Sequence, residues 1–294
     1  MDDELIVVTG ASGRIGRRLA VRLAAEGAHQ RLVVRSADRA PALPGTETEV
    51  ALSPGYADVA SMRAAFAGAG TVFLVSGRES ADRVTEHRAA VDAAVDAGVE
   101  RIVYLSFMGA APDATFTFAR DHWATEEHIR ASGLRFTFLR DCLYHDAIVR
   151  FVGEDGVIRG PAGDGAVAAV AHDDVADVAT AVLLDARERA HDGQAYDVTG
   201  PTAYTLTEAA QVLSGATGRE IRYEPETPTE AYASRARYDA EPWEVEGWVT
   251  SYEAIATGEL AATSPTVRRL SGRPAQSFQE WLTVNPGEWA HLRA

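Results

Sequence analysis

Short apolar runs alternate with longer stretches of helical periodicity over the first two-thirds of the chain. Leu5–Thr9, Arg31–Val34, Glu49–Leu52, Thr71–Val75, Arg101–Ser106 and Arg135–Leu139 read as strands. Leu5, Ile6, Val7 and Val8 are apolar in succession and not in alternation, as a strand buried on both faces requires. Between these runs, Gly16–Glu26, Ala81–Ala97 and Phe118–Ala131 carry helical spacing, and each is closed by a glycine. In Ala81–Ala97, the residues Val84, His87, Arg88, Val91 and Val95 fall on one largely apolar face. Asp58 is placed to cap a helix containing Met62 and Phe66, a role that competes with an adenine contact. Strands alternating with helices predict an α/β protein with a doubly wound parallel sheet.

Beyond Arg150 the pattern loosens. Gly153, Gly156, Gly160, Pro161, Gly163 and Gly165 mark an irregular loop. A strand at Val167–Val170 and a helix capped by Asp173 or Asp174 are expected to return to the sheet. Tyr196–Thr199 reads as one more strand, and Thr205 with Glu208 fits a capping box. The expected division is a first domain over residues 1–150, with 166–185 returning to it. A small C-terminal α/β cap is expected from 151–165 and 186–294, on the substrate side. Trp243, Trp248 and Tyr252 either line a pocket for a flat aromatic or polyketide-like substrate or form the core of that cap.

The sharpest motif is Thr9-Gly10-Ala11-Ser12-Gly13-Arg14-Ile15-Gly16, lying between the first strand and the first helix. Gly10 permits the tight turn, Gly13 lets backbone approach a pyrophosphate, and Gly16 lets helix and strand pack closely. Free N–H groups at the helix start face the phosphates. This identifies the first domain as a Rossmann-type dinucleotide-binding fold. At the end of the second strand, where NAD-selective sites place an acid, the chain has Arg35-Ser36, with Arg39 beyond. A guanidinium there suits the 2′-phosphate, so NADP(H) is expected in preference to NAD(H). The strand ends Val75-Ser76-Gly77, Ser106-Phe107-Met108 and Asp141-Cys142-Leu143 are predicted to line the cofactor groove.

Charge and composition narrow the chemistry. Of 294 residues, 28 are basic and 43 acidic, for a formal charge of −15. Such a surface disfavours nucleic acid and anionic membrane as partners. No apolar run approaches the ~20 residues of a membrane span. The acidic start, Met1 to Glu4, runs straight into a strand, so no signal peptide is expected. With one cysteine, Cys142, a cytoplasmic location is expected. The chain contains no lysine at all, which excludes Schiff-base chemistry and any lysine proton relay.

These pieces resemble the NmrA-like branch of the atypical short-chain dehydrogenases/reductases. The matching segments are the Thr9–Gly16 loop, Val34-Arg35-Ser36, Asp58–Met62, Thr71–Ser76, Ile102–Ser106 and Ala119–His122 leading to Thr125-Glu126-Glu127. The similarity is thinner in the cap. The resemblance implies the fold and an NADP cofactor. It leaves the substrate open, since the family includes quinone reductases, a triphenylmethane-dye reductase, isoflavone-reductase relatives and non-catalytic dinucleotide-sensing regulators.

The departures bear on mechanism. Short-chain dehydrogenases usually carry a catalytic Tyr and Lys four apart on the helix after the fifth strand. Here Phe118 and His122 stand there. His122 is suited either to donate a proton or to contact the cofactor ribose, and the plainer alternative is a histidine that only holds a backbone carbonyl. Tyr144 is a second candidate donor, or else an aromatic wall. Relatives carry a proline after Arg140 and an Asn near position 147, where this chain has Asp141 and Ala147. Cys142 reads as a small packed residue. His172-Asp173-Asp174 reads as a helix start, with no metal site. The expected activity is NADPH-dependent hydride transfer to a quinone, enone or other conjugated small hydrophobic molecule, and a homodimer is compatible with it. Two further readings share the fold: a non-redox biosynthetic enzyme (cyclase, lyase or epimerase), and a regulator that senses NADP(H) without turnover.

Overall fold

The computed structural model describes residues 4–43, 48–185 and 189–293; the first three acidic-terminus residues and the expected boundary at 186 lie outside these. In chain order the elements are β1 (Ile6–Val8), α1 (Arg14–Ala25), β2 (Gln30–Val34), β3 (Thr48–Leu52), α2 (Val59–Phe66), β4 (Thr71–Leu74) and α3 (Arg83–Asp96). Then come β5 (Arg101–Phe107), α4 (Thr117–Ala131), β6 (Arg135–Asp141), α5 (His145–Arg150), β7 (Val157–Gly160), β8 (Ala166–Val167), α6 (His172–Leu184) and β9 (Gln194–Val198). The chain continues with β10 (Tyr204–Thr205), α7 (Leu206–Thr217), β11 (Arg222–Pro225), α8 (Pro228–Arg235), α9 (Pro242–Ala256), α10 (Thr266–Ser271) and α11 (Phe278–Val284).

Two compact units are present. The first comprises Met1–Ala110, Asp121–Arg140 and His172–Tyr196. Its seven-stranded sheet runs β3-β2-β1-β4-β5-β6-β9. The β3-β2, β2-β1, β1-β4 and β4-β5 ladders are parallel. This is the doubly wound Rossmann arrangement, and its order reverses between β1 and β4, where such sheets take their ligands. Val7, Val8, Leu32, Val72, Phe73, Ile102 and Val103 are all fully buried, as the unbroken apolar runs require. Asp58 caps α2, its Oδ1 accepting from Ser61 N at 2.9 Å.

Three expectations are corrected here. The buried face of α3 is Arg83, His87, Ala90, Val91, Ala93 and Ala94, while Val95 is 42% exposed. His87 and Val91 are buried as expected, Arg88 is exposed, and Arg83 joins the buried face because its guanidinium finds hydrogen-bond partners inside. Asp173 does not cap α6: the helix starts at His172, and Asp173 pairs with Arg18 at 3.1 Å and Arg22 at 2.8 Å on α1. Finally, the short strand at 166–167 does not return to the large sheet; it pairs antiparallel with β10.

The second unit comprises Ala111–Arg120, Asp141–Ala171 and Asp197–Ala294. It holds the β8–β10 pair and a parallel β7–β11 pair, with helices around them. The Thr205–Glu208 capping box forms at the start of α7. Tyr252 is core, its ring tilted against that of Phe151 at 4.6 Å and covering Gly160. Trp281 and Trp289 are likewise buried.

Candidate active site

The glycine turn leaves β1 at the point where sheet order reverses. Gly10 has φ +57°, a left-handed setting that disfavours any side chain, and a Cβ there would come within 3.2 Å of Val75 Cβ. A Cβ at Gly16 would lie 2.4 Å from Gly10 O, so α1 approaches the turn only because Gly16 lacks one. Gly13 N donates to Gly10 O at 2.8 Å, and Ala11 N to Val33 O at 3.3 Å. Gly13 and Arg14 are exposed, Ser12 is half-buried, and Ala11, Ile15 and Gly16 are buried. The start of α1 carries no side-chain cap and no acid in its first turn. An uncapped helix start with open amides fits an anion such as a pyrophosphate.

Thr9 and Tyr56 set the spacing of the strands around this turn. Val75 N donates to Thr9 Oγ1 at 2.9 Å, and Tyr56 OH bonds both Thr9 Oγ1 (2.7 Å) and Val75 O (2.5 Å). Arg35 follows β2 exposed, and its side chain makes no hydrogen bond or ion pair to the other described residues, so it is available to a ligand. Ser36 is half-buried and its hydroxyl bonds Asp38.

Val75, Ser76 and Gly77 are half-buried, whereas Ser106, Phe107 and Met108 are buried. The Ser106 hydroxyl is taken up by Glu126 at 2.6 Å, and Glu126 is itself gripped by Arg140 at 2.8 and 2.6 Å. Behind these strand ends lies a buried polar network. Gly77 N donates to His87 Nε2 at 2.7 Å, and His87 Nδ1 meets Thr125 Oγ1 at 2.8 Å. His122 places Nδ1 3.0 Å from Tyr104 Oη and Nε2 3.1 Å from an Arg83 nitrogen. Its ring is 5.9 Å from that of Phe107. Burial, then the charge of Arg83, holds His122 well below the ordinary histidine range, and the same causes take His87 down to about 3.

The remaining candidates belong to the second unit. Cys142 is fully buried against Leu260 O, and burial pushes its thiol up to about 12, so it is no nucleophile at neutral pH. Leu143 O accepts from Val170 N at 2.9 Å. Tyr144 is half-buried and donates its phenol proton to Asp141; burial, then that carboxylate, drives the phenol well above its usual range. Phe118 is buried against Gly247 on α9, with Trp243 at 6.0 Å. Among the described residues no three His, Cys, Asp or Glu side chains gather as metal ligands, and no helix is long and apolar enough to cross a membrane. A pocket of about 530 Å³ between α7 and α11, lined by Gln211, Val212, Leu282 and Trp289, has no titratable group and is a poor site for chemistry.

Sequence reading missed Thr9, Tyr56, Arg83, His87, Tyr104 and Thr125. The one available signal was the i, i+4 spacing of Arg83 and His87 on an otherwise apolar helix face.

Fold and turn together define a dinucleotide-binding protein of the Rossmann class. A family model described as NAD(P)H-binding matches residues 10–186. The (4-alkanoyl-5-oxo-2,5-dihydrofuran-3-yl)methyl phosphate reductase of Streptomyces griseus subsp. griseus is 36% identical over 281 residues, covering 94% of this chain and 96% of that protein. Among solved structures, an NADPH-dependent quinone oxidoreductase of Escherichia coli complexed with NADPH superposes with TM-score 0.85 at 28% identity, over 95% of this chain and 99% of that one. The Citrobacter sp. triphenylmethane reductase complexed with NADP(H) gives TM-score 0.82 at 28% identity, over 96% and 99% of the two chains. The chain belongs to this NAD(P)H-binding family, and with it to the NAD(P)H-dependent oxidoreductases.

Proposed function

We propose that the protein is an NADPH-dependent reductase whose acceptor is an electron-poor conjugated small molecule: a quinone, an enone or an unsaturated lactone. The observation that carries this reading is the pair of residues at 118 and 122. Phe118 has no proton to give and turns its ring edge to Gly247. His122 is held uncharged, with both ring nitrogens engaged. A site without a strong acid suits an acceptor that spreads the arriving negative charge over oxygen and ring, and leaves the final proton to water. An isolated ketone, which would form a localised alkoxide, needs the acid this site lacks. The reading is supported by the Streptomyces griseus relative, whose name describes an oxo-dihydrofuran, an electron-poor conjugated ring.

For the cofactor, the backbone of Gly10, Ala11, Ser12, Gly13, Arg14, Ile15 and Gly16 would hold the pyrophosphate. Arg35, with Ser36 beside it, would take the 2′-phosphate and set the preference for NADPH. Val75, Ser76, Gly77, Phe107 and Met108 would flank the groove, and Ser106 would contribute backbone only, since its hydroxyl is engaged. Bound NADPH supplies the hydride. The chain supplies the position of the nicotinamide against the acceptor. His122 would enter as a holder of the site and not as an acid, and Tyr144 spends its phenol proton on Asp141.

The test is loss of NADPH absorbance with three acceptors: a quinone, an unsaturated lactone and an unconjugated ketone. Turnover of the first two and not the third is expected. Comparable ketone reduction overturns the acceptor class. Tight NADPH binding with no turnover points to a regulator, and product formation without NADPH loss to a non-redox enzyme.

A further inference from the structure

Arg83 opens α3 at only 5% exposure, deep for a guanidinium. Its nitrogens reach two elements: Nε donates to Gly77 O at 3.1 Å, Nη2 lies 3.1 Å from His122 Nε2, and Nη1 lies 3.7 Å from Asp121 Oδ2. A guanidinium has donors only, so His122 Nε2 is the acceptor of that bond. A neutral His122 then carries its proton on Nδ1 and donates it to Tyr104 Oη at 3.0 Å. The Tyr104 hydroxyl also lies 3.5 Å from His87 Nδ1. His87, one turn after Arg83, follows the same logic. Its Nε2 accepts from Gly77 N, so its Nδ1–H donates to Thr125 Oγ1, which donates onward to Asp121 O at 2.8 Å. Both backbone groups of Gly77 are thus held by side chains one helical turn apart.

We propose that Arg83 is a positioning residue that fixes His122 as the uncharged Nδ1–H tautomer while itself holding the Gly77 turn, so that His122 anchors Arg83 and delivers no proton to the acceptor. The titratable and charged groups around His122 are Arg83 and His87 on α3, Tyr104 on β5, and Asp121 and Glu126 on α4. Glu126 is neutralised by Arg130 and Arg140, and Asp121 lies beside Arg83 itself. Among the described residues around His122, no carboxylate is left to stabilise an imidazolium. The consequence for turnover rests on the reductase reading, whereas the tautomer does not.

Two-bond proton–nitrogen spectra of protein labelled with 15N-histidine report the tautomer, with His122 assigned by its loss in His122→Phe. The wild type is expected to show Nδ1–H, unchanged from about pH 5 to 8, across the ordinary histidine range. Arg83→Lys, still a charged donor, should keep that tautomer. Arg83→Met should distribute the proton over both nitrogens and move the ring's titration upward. With a quinone as acceptor, Arg83→Met should lower kcat roughly ten- to a hundredfold through misplacement, with KM little changed. Its pH profile should gain a bend that Arg83→Lys lacks. Adding His122→Phe to Arg83→Met should cost no further rate if the two act as one unit. Nε2–H in the wild type, or titration of His122 near neutrality, overturns the proposal, as does a wild-type tautomer and profile in Arg83→Met. Should Arg83→Met not fold, the wild-type and Arg83→Lys spectra decide it. Should no acceptor be reduced while wild-type His122 shows Nδ1–H, the reductase reading fails and the assignment of Arg83 stands.

Discussion

The distal edge of the Phe118 ring faces Gly247 so closely that a Cβ built at 247 would lie 2.3 Å from Phe118 Cζ. Cζ is the carbon that bears the hydroxyl in tyrosine. The position that carries the catalytic phenol in many short-chain dehydrogenases is here an apolar pin holding α9. Phe118→Tyr is therefore expected to crowd the α9 backbone, destabilising the protein by about 1–3 kcal/mol. It should bring no reduction of an unconjugated ketone. Urea denaturation and NADPH consumption check the two halves; ketone turnover by this variant would contradict the pin.

Arg35 is exposed at the end of β2, on the strand beside the glycine turn. Removal of a charge-assisted phosphate contact by Arg35→Ala should weaken NADPH binding by roughly 1.5–3 kcal/mol and leave NADH nearly unchanged. Fluorescence titrations with both nucleotides measure this. Equal losses for the two would remove Arg35 from cofactor selection.

Gly16→Ala tests the seat of the pyrophosphate. Its Cβ would meet Gly10 O at 2.4 Å and Ala11 Cα at 2.9 Å, both backbone atoms that cannot swing aside. Helix α1 must retreat from the turn, so binding of NADPH and of NADH should fall together by tenfold or more, at about 1.4 kcal/mol per decade. Unchanged binding of both nucleotides would show that the turn does not seat their shared pyrophosphate.

Acid should weaken the fold from the histidine range downward. His87 is buried and neutral, lowered to about 3, and His122 is lowered as well. Between the ordinary histidine pKa and the folded value, the unfolded chain binds a proton that the native state refuses. Stability is thus complete above about pH 6.5 and falls by about 1.4 kcal/mol per pH unit for each such histidine below it. Urea midpoints from neutral to mildly acid pH measure the slope. His87→Gln, whose amide oxygen can still accept from Gly77 N, should reduce that slope by one proton; an unchanged slope would mean that His87 does not resist protonation.

The Rossmann unit was legible because its signals are local. Apolar runs mark strands buried on both faces, and three glycines at a strand–helix junction have few other uses. The Asp58 cap and the Thr205–Glu208 box were also readable, since each is satisfied within four residues. The α3 face was misread because periodicity counts apolar residues. Arg83 and His87 are buried through partners in the turn after β4 (Gly77) and, far along the chain, on α4 (His122 and Thr125). Ser106 was read as a groove residue by its place at a strand end, and only the fold shows its hydroxyl committed to Glu126.

By itself, the order of residues determined where phosphates can be held, that no lysine serves the site, and that position 118 carries no acid. Those are properties of single residues and their immediate neighbours, where backbone geometry and chemical type suffice. Tertiary structure alone decided that Phe118 points at Gly247, that His122 is locked by Arg83 and Tyr104, and that Asp173 pairs with α1. Each of these depends on which distant side chain arrives in the same buried volume. There, loss of water makes an unpaired polar group costly and a paired one fixed.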